Sequence, residues 1–96
     1  MPSINVKKLQ KRTDYELWKW NRSNSKIESP EGIYQMVGWY LHGREIDPPG
    51  NLRAADPAIE LHVRAIQGGA VLVLTKDPNG FGAMFAHGRR VTFHET

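Results

Sequence analysis

Residues 58–96 are cut into short alternating runs by strong turn signals, and no other stretch restricts the fold as tightly. In 58–66, Ile59, Leu61, Val63 and Ala65 fall on one side and Glu60, His62 and Arg64 on the other. That is the pattern of a strand wet on one face. Gln67-Gly68-Gly69 supplies the positive-φ tolerance a hairpin needs. Residues 70–75 are β-branched and apolar throughout, which predicts a central strand covered on both faces. Lys76-Asp77-Pro78-Asn79-Gly80 is a strong turn, since proline presets φ and Asn-Gly accepts left-handed geometry. A third strand over 81–87 follows, with Gly82 marking a bulge, and Gly88 turns the chain into a fourth over 89–94. The expected result is an antiparallel meander.

The first half reads as helical. Ile4, Val6 and Lys8 open with a short strand. Thr13-Asp14-Tyr15-Glu16 fits a capping box, with Thr13 as N-cap and Glu16 three positions on, ahead of a helix through Tyr15, Leu17, Trp18 and Trp20. After the polar 21–25 linker, Ser29-Pro30-Glu31 is a second start signal. Ile33, Met36, Val37, Tyr40 and Leu41 then recur at helical spacing, and His42-Gly43 supplies a stop. Residues 43–57 hold Pro48-Pro49 and read as a crossover loop. The expected fold is α+β: one domain over 1–96, mainly helical over 1–42, with two N-terminal helices packed on a three- to four-stranded antiparallel meander over 58–96.

Ninety-six residues suit one domain with a thin core. Cysteine is absent, which removes disulfides and thiolate metal sites and suits a reducing cytoplasm. With no apolar leader region and no run of about 20 apolar residues, the expectation is a soluble, cytoplasmic protein without membrane contact. Charge is uneven. Residues 1–26 hold seven Lys/Arg against two acids, 27–60 two against six, and 61–96 four against two, giving the small basic total of +3. The basic N-terminal segment suits an acidic or phosphate-rich partner as readily as a solvated face.

The residues that carry chemistry are few. His-Gly-Arg occurs twice, at His42-Gly43-Arg44 and His87-Gly88-Arg89. Imidazole as acid or base beside an arginine that grips phosphate is the equipment of RNA cleavage by transesterification. Both tripeptides also sit at element ends, where glycine is wanted for its backbone alone. His62, His87 and His94 lie on different strands without a second ligand at i+2 or i+4, so no metal site and no cofactor is expected. Trp18-Lys19-Trp20-Asn21-Arg22 interleaves indoles with cations, which suits base stacking with phosphate pairing, or a protein contact. Trp39, off the main stripe, is a further candidate for exposure.

Three functions fit these residues. The first is a non-enzymatic protein-interaction module, an inhibitor or accessory factor of a larger complex, with Trp18, Trp20 and Trp39 as anchors. The second is nucleic-acid binding through the basic N-terminal segment, Lys19 and Arg22 among it, and a polar sheet face of His62, Arg64, Arg90 and His94, with Arg89 as a further binding candidate. The third is a small ribonuclease of toxin type. Two helices followed by an antiparallel sheet is similar, in layout alone, to the bacterial messenger-RNA interferase toxins, and no motif of that family is present. The chain assigns no catalytic residue, and the terminal strand over 90–94 offers an edge for a homodimer.

Overall fold

The computed structural model describes residues 15–77 and 83–95, which form eight strands and, among them, no helix. The strands are β1 Tyr15–Asn21, β2 Lys26–Ser29, β3 Gly32–Leu41, β4 Arg44–Ile46, β5 Ile59–Ala65, β6 Leu72–Lys76, β7 Ala83–Ala86 and β8 Arg89–Glu95. Their order is β2-β1-β8-β7-β6-β5-β3-β4, and β2 also pairs with β3. Seven strands therefore close into a barrel, with β4 added outside on β3. The α+β expectation is overturned: the fold is all-β, and the meander β5–β8 is one part of its wall.

Closure depends on β1. It runs antiparallel to β2 and parallel to β8, with Glu16 opposite Val91 and Trp18 opposite Phe93. β8 is thus paired on both sides, by β1 and β7. The free terminal edge expected over 90–94 is therefore taken up within the barrel wall.

Both expected helices have identifiable reasons for being strands. Trp18 and Trp20 lie two apart, so on a strand they point the same way, and both are buried. In β3 a register shift falls between Met36 and Gly38. Tyr34 and Met36 face the core before this bulge, and Trp39 and Leu41 after it. One extra residue thus breaks the alternation of apolar positions and imitates the period of a helix. The supposed cap at Ser29 is a turn: its Oγ accepts from the Glu31 amide at 3.1 Å and donates to the Gly32 carbonyl at 3.0 Å. A serine at a helix start and one at a tight turn make the same local bond, and the residues that follow decide between them. Thr13 of the expected capping box, the short strand at 4–8, and the Asn79-Gly80 and Gly82 turn features lie outside the described residues.

Inside, Trp18, Trp20 and Trp39 join Ile27, Leu61, Val63, Leu74, Met84, Val91 and Phe93 in one buried cluster. Trp20 packs on Trp39 and Phe93 with ring centroids 5.5 and 5.9 Å apart. Tilted pairs of this kind add about 0.5–1.5 kcal/mol each beyond burial of their area. Trp20 and Trp39, 2% and 1% exposed, are therefore core residues and not surface anchors. β6 is covered on one face only, since Val71 and Val73 remain 38% and 39% exposed.

The loop over 47–58 crosses one end of the barrel and plugs it. Leu52 and Ala55 pack against the core, and Lys76 Nζ donates to the carbonyls of Arg53 (3.0 Å) and Ala55. Asn51 and Asp56 hold the turns through side-chain bonds to backbone amides two residues on. The crossover expected over 43–57 is here, though its first residues form β4. The opposite mouth is bounded by the start of β1, the Pro30-Glu31 turn, the β5–β6 connection and the His87-Gly88 turn.

Candidate functional site at the barrel mouth

Strand alternation delivers three polar side chains to the interior side of this mouth. Glu16 lies two residues before Trp18 on β1, Arg89 two before Val91 on β8, and Tyr34 two before Met36 on β3. The Pro30-Glu31 turn adds Glu31 from the rim. Arg89 holds both acids, with Nη1 2.7 Å from Glu16 Oε1 and Nη2 2.5 Å from Glu31 Oε1. Glu16, whose side chain is 9% exposed, also accepts from Trp18 Nε1 at 3.3 Å. A carboxylate this buried needs such partners.

Tyr34 joins the network from below. Its hydroxyl donates to Glu31 Oε2 at 3.1 Å, and its ring stacks on Trp18 at 5.2 Å and 16°. Burial, then the hydrogen bond to Glu31 and the charges of Glu31 and Glu16, hold its phenol above the ordinary value. His87 stands at the lip, with Nε2 4.0 Å from Glu31 Oε2. Two carboxylates share one guanidinium, so the cluster carries a surplus negative charge.

Beside the network lies a groove of about 310 Å³ lined by Glu31, Gly32, Ile33, Tyr34, Ala65, Ile66 and Gln67. Its apolar walls are fixed relative to one another, because the Ile66 amide donates to the Ile33 carbonyl at 3.1 Å. Both isoleucines are 49% exposed, the most open of the large apolar side chains described. Glu28 faces Ile33 across the β2–β3 ladder, which places a further carboxylate on the outer side of this ridge.

Of the residues expected from sequence to make contacts, Arg89 alone reaches this mouth. Trp18, Trp20 and Trp39 are in the core. Lys19 is exposed on the outer face of β1, opposite Glu28 on one side and His94 on the other. Arg22 is at the far end, bound to Glu95 through two nitrogens at 2.8 and 2.6 Å and lying 4.3 Å above the Trp20 ring. Arg90 is buried against Asp77 at 2.6 Å. His62 sits on the outer face of β5, its ring tilted at 31° against Tyr40 with centroids 4.3 Å apart, and 3.1 Å from Glu60. Arg64 is exposed on the same strand. The single polar face expected from His62, Arg64, Arg90 and His94 is divided, because β6 and β7 separate β5 from β8 on one side and three strands do so on the other.

The two His-Gly-Arg repeats are two copies of one turn. His42-Gly43 has φ of 50° and 78°, His87-Gly88 has 54° and 73°, and the strand pairs Leu41–Arg44 and Ala86–Arg89 close them. Positive φ at both central residues is the tight hairpin turn that matches strand twist. They lie at opposite ends of the barrel, so His42 and His87 share no site.

Sequence reasoning missed Glu16, Glu31, Tyr34, Ile33 and Ile66. The available signal was Ser29-Pro30-Glu31-Gly32 between two β-prone runs, a hairpin that places Glu31 at a tip and Ile33 on an outer face. Among the described residues no group of three or more His, Asp and Glu is arranged to hold a metal ion, and no helix is long and apolar enough to cross a membrane. Comparison of the chain with family models, curated proteins and solved structures finds no match in any of the three.

Proposed function

We propose that the protein is a non-enzymatic protein-interaction module that engages its partner through the barrel mouth opposite the 47–58 loop. One observation carries the reading. Ile33 and Ile66 stand about half exposed on either side of a groove, on a rigid hairpin framework, next to a pre-ordered charged network. Exposed apolar groups held rigidly beside charged ones are what a specific interface needs, since little ordering is left to do on binding.

The alternatives draw less support. Arg22, Arg89 and Arg90 are each held by a carboxylate, so three of the cations nominated for phosphate are already engaged. Lys7, Lys8, Lys11 and Arg12, the densest basic stretch, lie outside the described residues. The ribonuclease reading has His87 and Arg89 near Glu31, but Arg89 is already held by two carboxylates and His42 lies at the other end of the barrel. A cysteine-free chain suits work in the cytoplasm, which remains part of the proposal.

The test compares capture from an extract of the native host, with and without nuclease treatment, by the wild-type protein and by Ile33→Glu/Ile66→Glu. Both positions are open, so the fold is expected to survive. A protein retained by the wild type and lost by the variant supports the reading. Retention that ignores the substitutions, or nucleic acid retained with a steep salt dependence, contradicts it.

A further inference from the structure

We infer that the mouth groove takes one lysine or arginine side chain from the partner protein, its methylenes laid between Ile33 and Ile66 and its charged head on Glu31. This rests on the interaction-module reading and names the chemistry of the partner.

The groove is apolar along its length and anionic at its end. Ile33, Ala65 and Ile66 form the walls, and Glu31 closes one side with its carboxylate still one-third exposed. A long cationic side chain has the same division, an apolar stem and a charged tip, and settles where both are matched. At about 310 Å³ the groove is at the small end of ligand sites, which suits one side chain better than a larger ligand.

The sign of the charge follows from a count of the groups at hand. Glu16 and Glu31 face one Arg89, and Glu28 stands across from Ile33 on the outer side. Among the described residues the opposing cations are Arg64, on the next outward rung of β5 opposite Gln35, and Lys19 and Lys26, which share a depression with Glu28 and Ile33 on the far side of the ridge, while His87 stands 4.0 Å from Glu31. An anion entering here would have to take Arg89 from two carboxylates already bound to it. A cation has only to share Glu31, and Arg89 keeps Glu16 at 2.7 Å. Tyr34 and Arg89 fix the Glu31 carboxylate before anything binds, so its orientation is settled in advance.

The test uses the full chain, isotope-labelled, titrated to millimolar concentration with three capped pentapeptides. These are identical except for lysine, norleucine or glutamate at the centre, flanked by valines. The lysine peptide is expected to shift the Glu31, Ile33 and Ile66 resonances and to bind at least ~10-fold more tightly than the norleucine peptide, a gap of about 1.4 kcal/mol. Glu31→Gln is expected to remove that preference while leaving norleucine binding unchanged, its fold checked by the dispersion of the core resonances. Equal binding of lysine and norleucine at these residues would overturn the cation while leaving an apolar docking groove in place. Preference for glutamate, or no peptide acting at the groove, also overturns the inference. The interaction-module reading is then judged separately by the Ile33/Ile66 capture experiment.

Discussion

Arg89 meets Glu16 at 2.7 Å inside the mouth of the barrel, although they lie 73 positions apart in sequence. The contact exists because β1 lies parallel against β8, with Glu16 opposite Val91, two residues on from Arg89 and on the same face. Site and closure are therefore one structural event, and variants at the mouth report on both.

Removing Arg89 leaves the nearly buried Glu16 carboxylate without its cation. Arg89→Met is expected to destabilise by about 2 kcal/mol, below the 3–5 kcal/mol typical of fully buried pairs because Arg89 is itself 38% exposed. Glu16→Gln keeps an acceptor for only one of its two donors, since Arg89 Nη1 and Trp18 Nε1 bond to different carboxylate oxygens, but it leaves no buried charge unpaired and should cost less. Urea denaturation of the two variants measures the difference, and a larger loss for Glu16→Gln would refute this ordering.

The three tryptophans are expected to differ in what their N–H groups contribute. Trp18 Nε1 bonds to Glu16, whereas the buried Trp39 Nε1 has no partner among the described residues. Both Trp→Phe changes lose packing volume, but Trp18→Phe also removes an acceptor's partner, worth about 1–3 kcal/mol when the acceptor is charged. Trp39→Phe should therefore be the milder by about 1 kcal/mol or more in the same denaturation assay. All three indoles should resist collisional quenching in solution. Ready quenching of Trp20 or Trp39 would return them to the surface.

Tyr34 gives the pH dependence. Its phenol ionises above the ordinary value of 10.0, from burial first and the Glu31 hydrogen bond second. The folded state therefore holds this proton more tightly than the unfolded chain does. The associated stability is fully present below the unfolded value and is lost as pH rises through the folded one. Ultraviolet titration should show a late step from Tyr34, and Tyr34→Phe should remove both that step and its share of the alkaline loss. A late step that survives Tyr34→Phe would assign it elsewhere.

The twin turns predict tolerance of one substitution and not another. His42→Asn and His87→Asn should leave stability within about 0.5 kcal/mol, because asparagine readily takes positive φ. Gly43→Ala and Gly88→Ala, at φ of 78° and 73°, should each cost about 1–2 kcal/mol. Thermal melts distinguish the pairs. Equal sensitivity of histidine and glycine would mean that the imidazoles do more than turn the chain.

The second half of the chain was legible because its strands alternate and its turns are spelled out: Glu60, His62 and Arg64 do face outward on β5. The first half was not, for three local reasons. Ser29 makes at a turn the bond it would make at a helix start. The bulge between Met36 and Gly38 shifts the phase of apolar positions in β3 and imitates a helical stripe. Trp18 and Trp20, two apart, were assigned to a helix that would have split them, while the strand sends both into the core. The site was largely hidden for a different reason. Its acids come from β1 and from the β2–β3 turn, and their meeting with Arg89 depends on a pairing of β1 with β8 that no local pattern announces.

That pairing is the claim from which the mouth, its groove and its proposed partner all follow. Nuclear Overhauser contacts in the full chain test it most directly. The account predicts long-range contacts from Leu17 to Thr92 and from Trp18 to Phe93, with strong sequential Hα–amide signals through Gly32–Leu41. Successive amide–amide contacts through Gly32–Leu41, with no contact between β1 and β8, would contradict it.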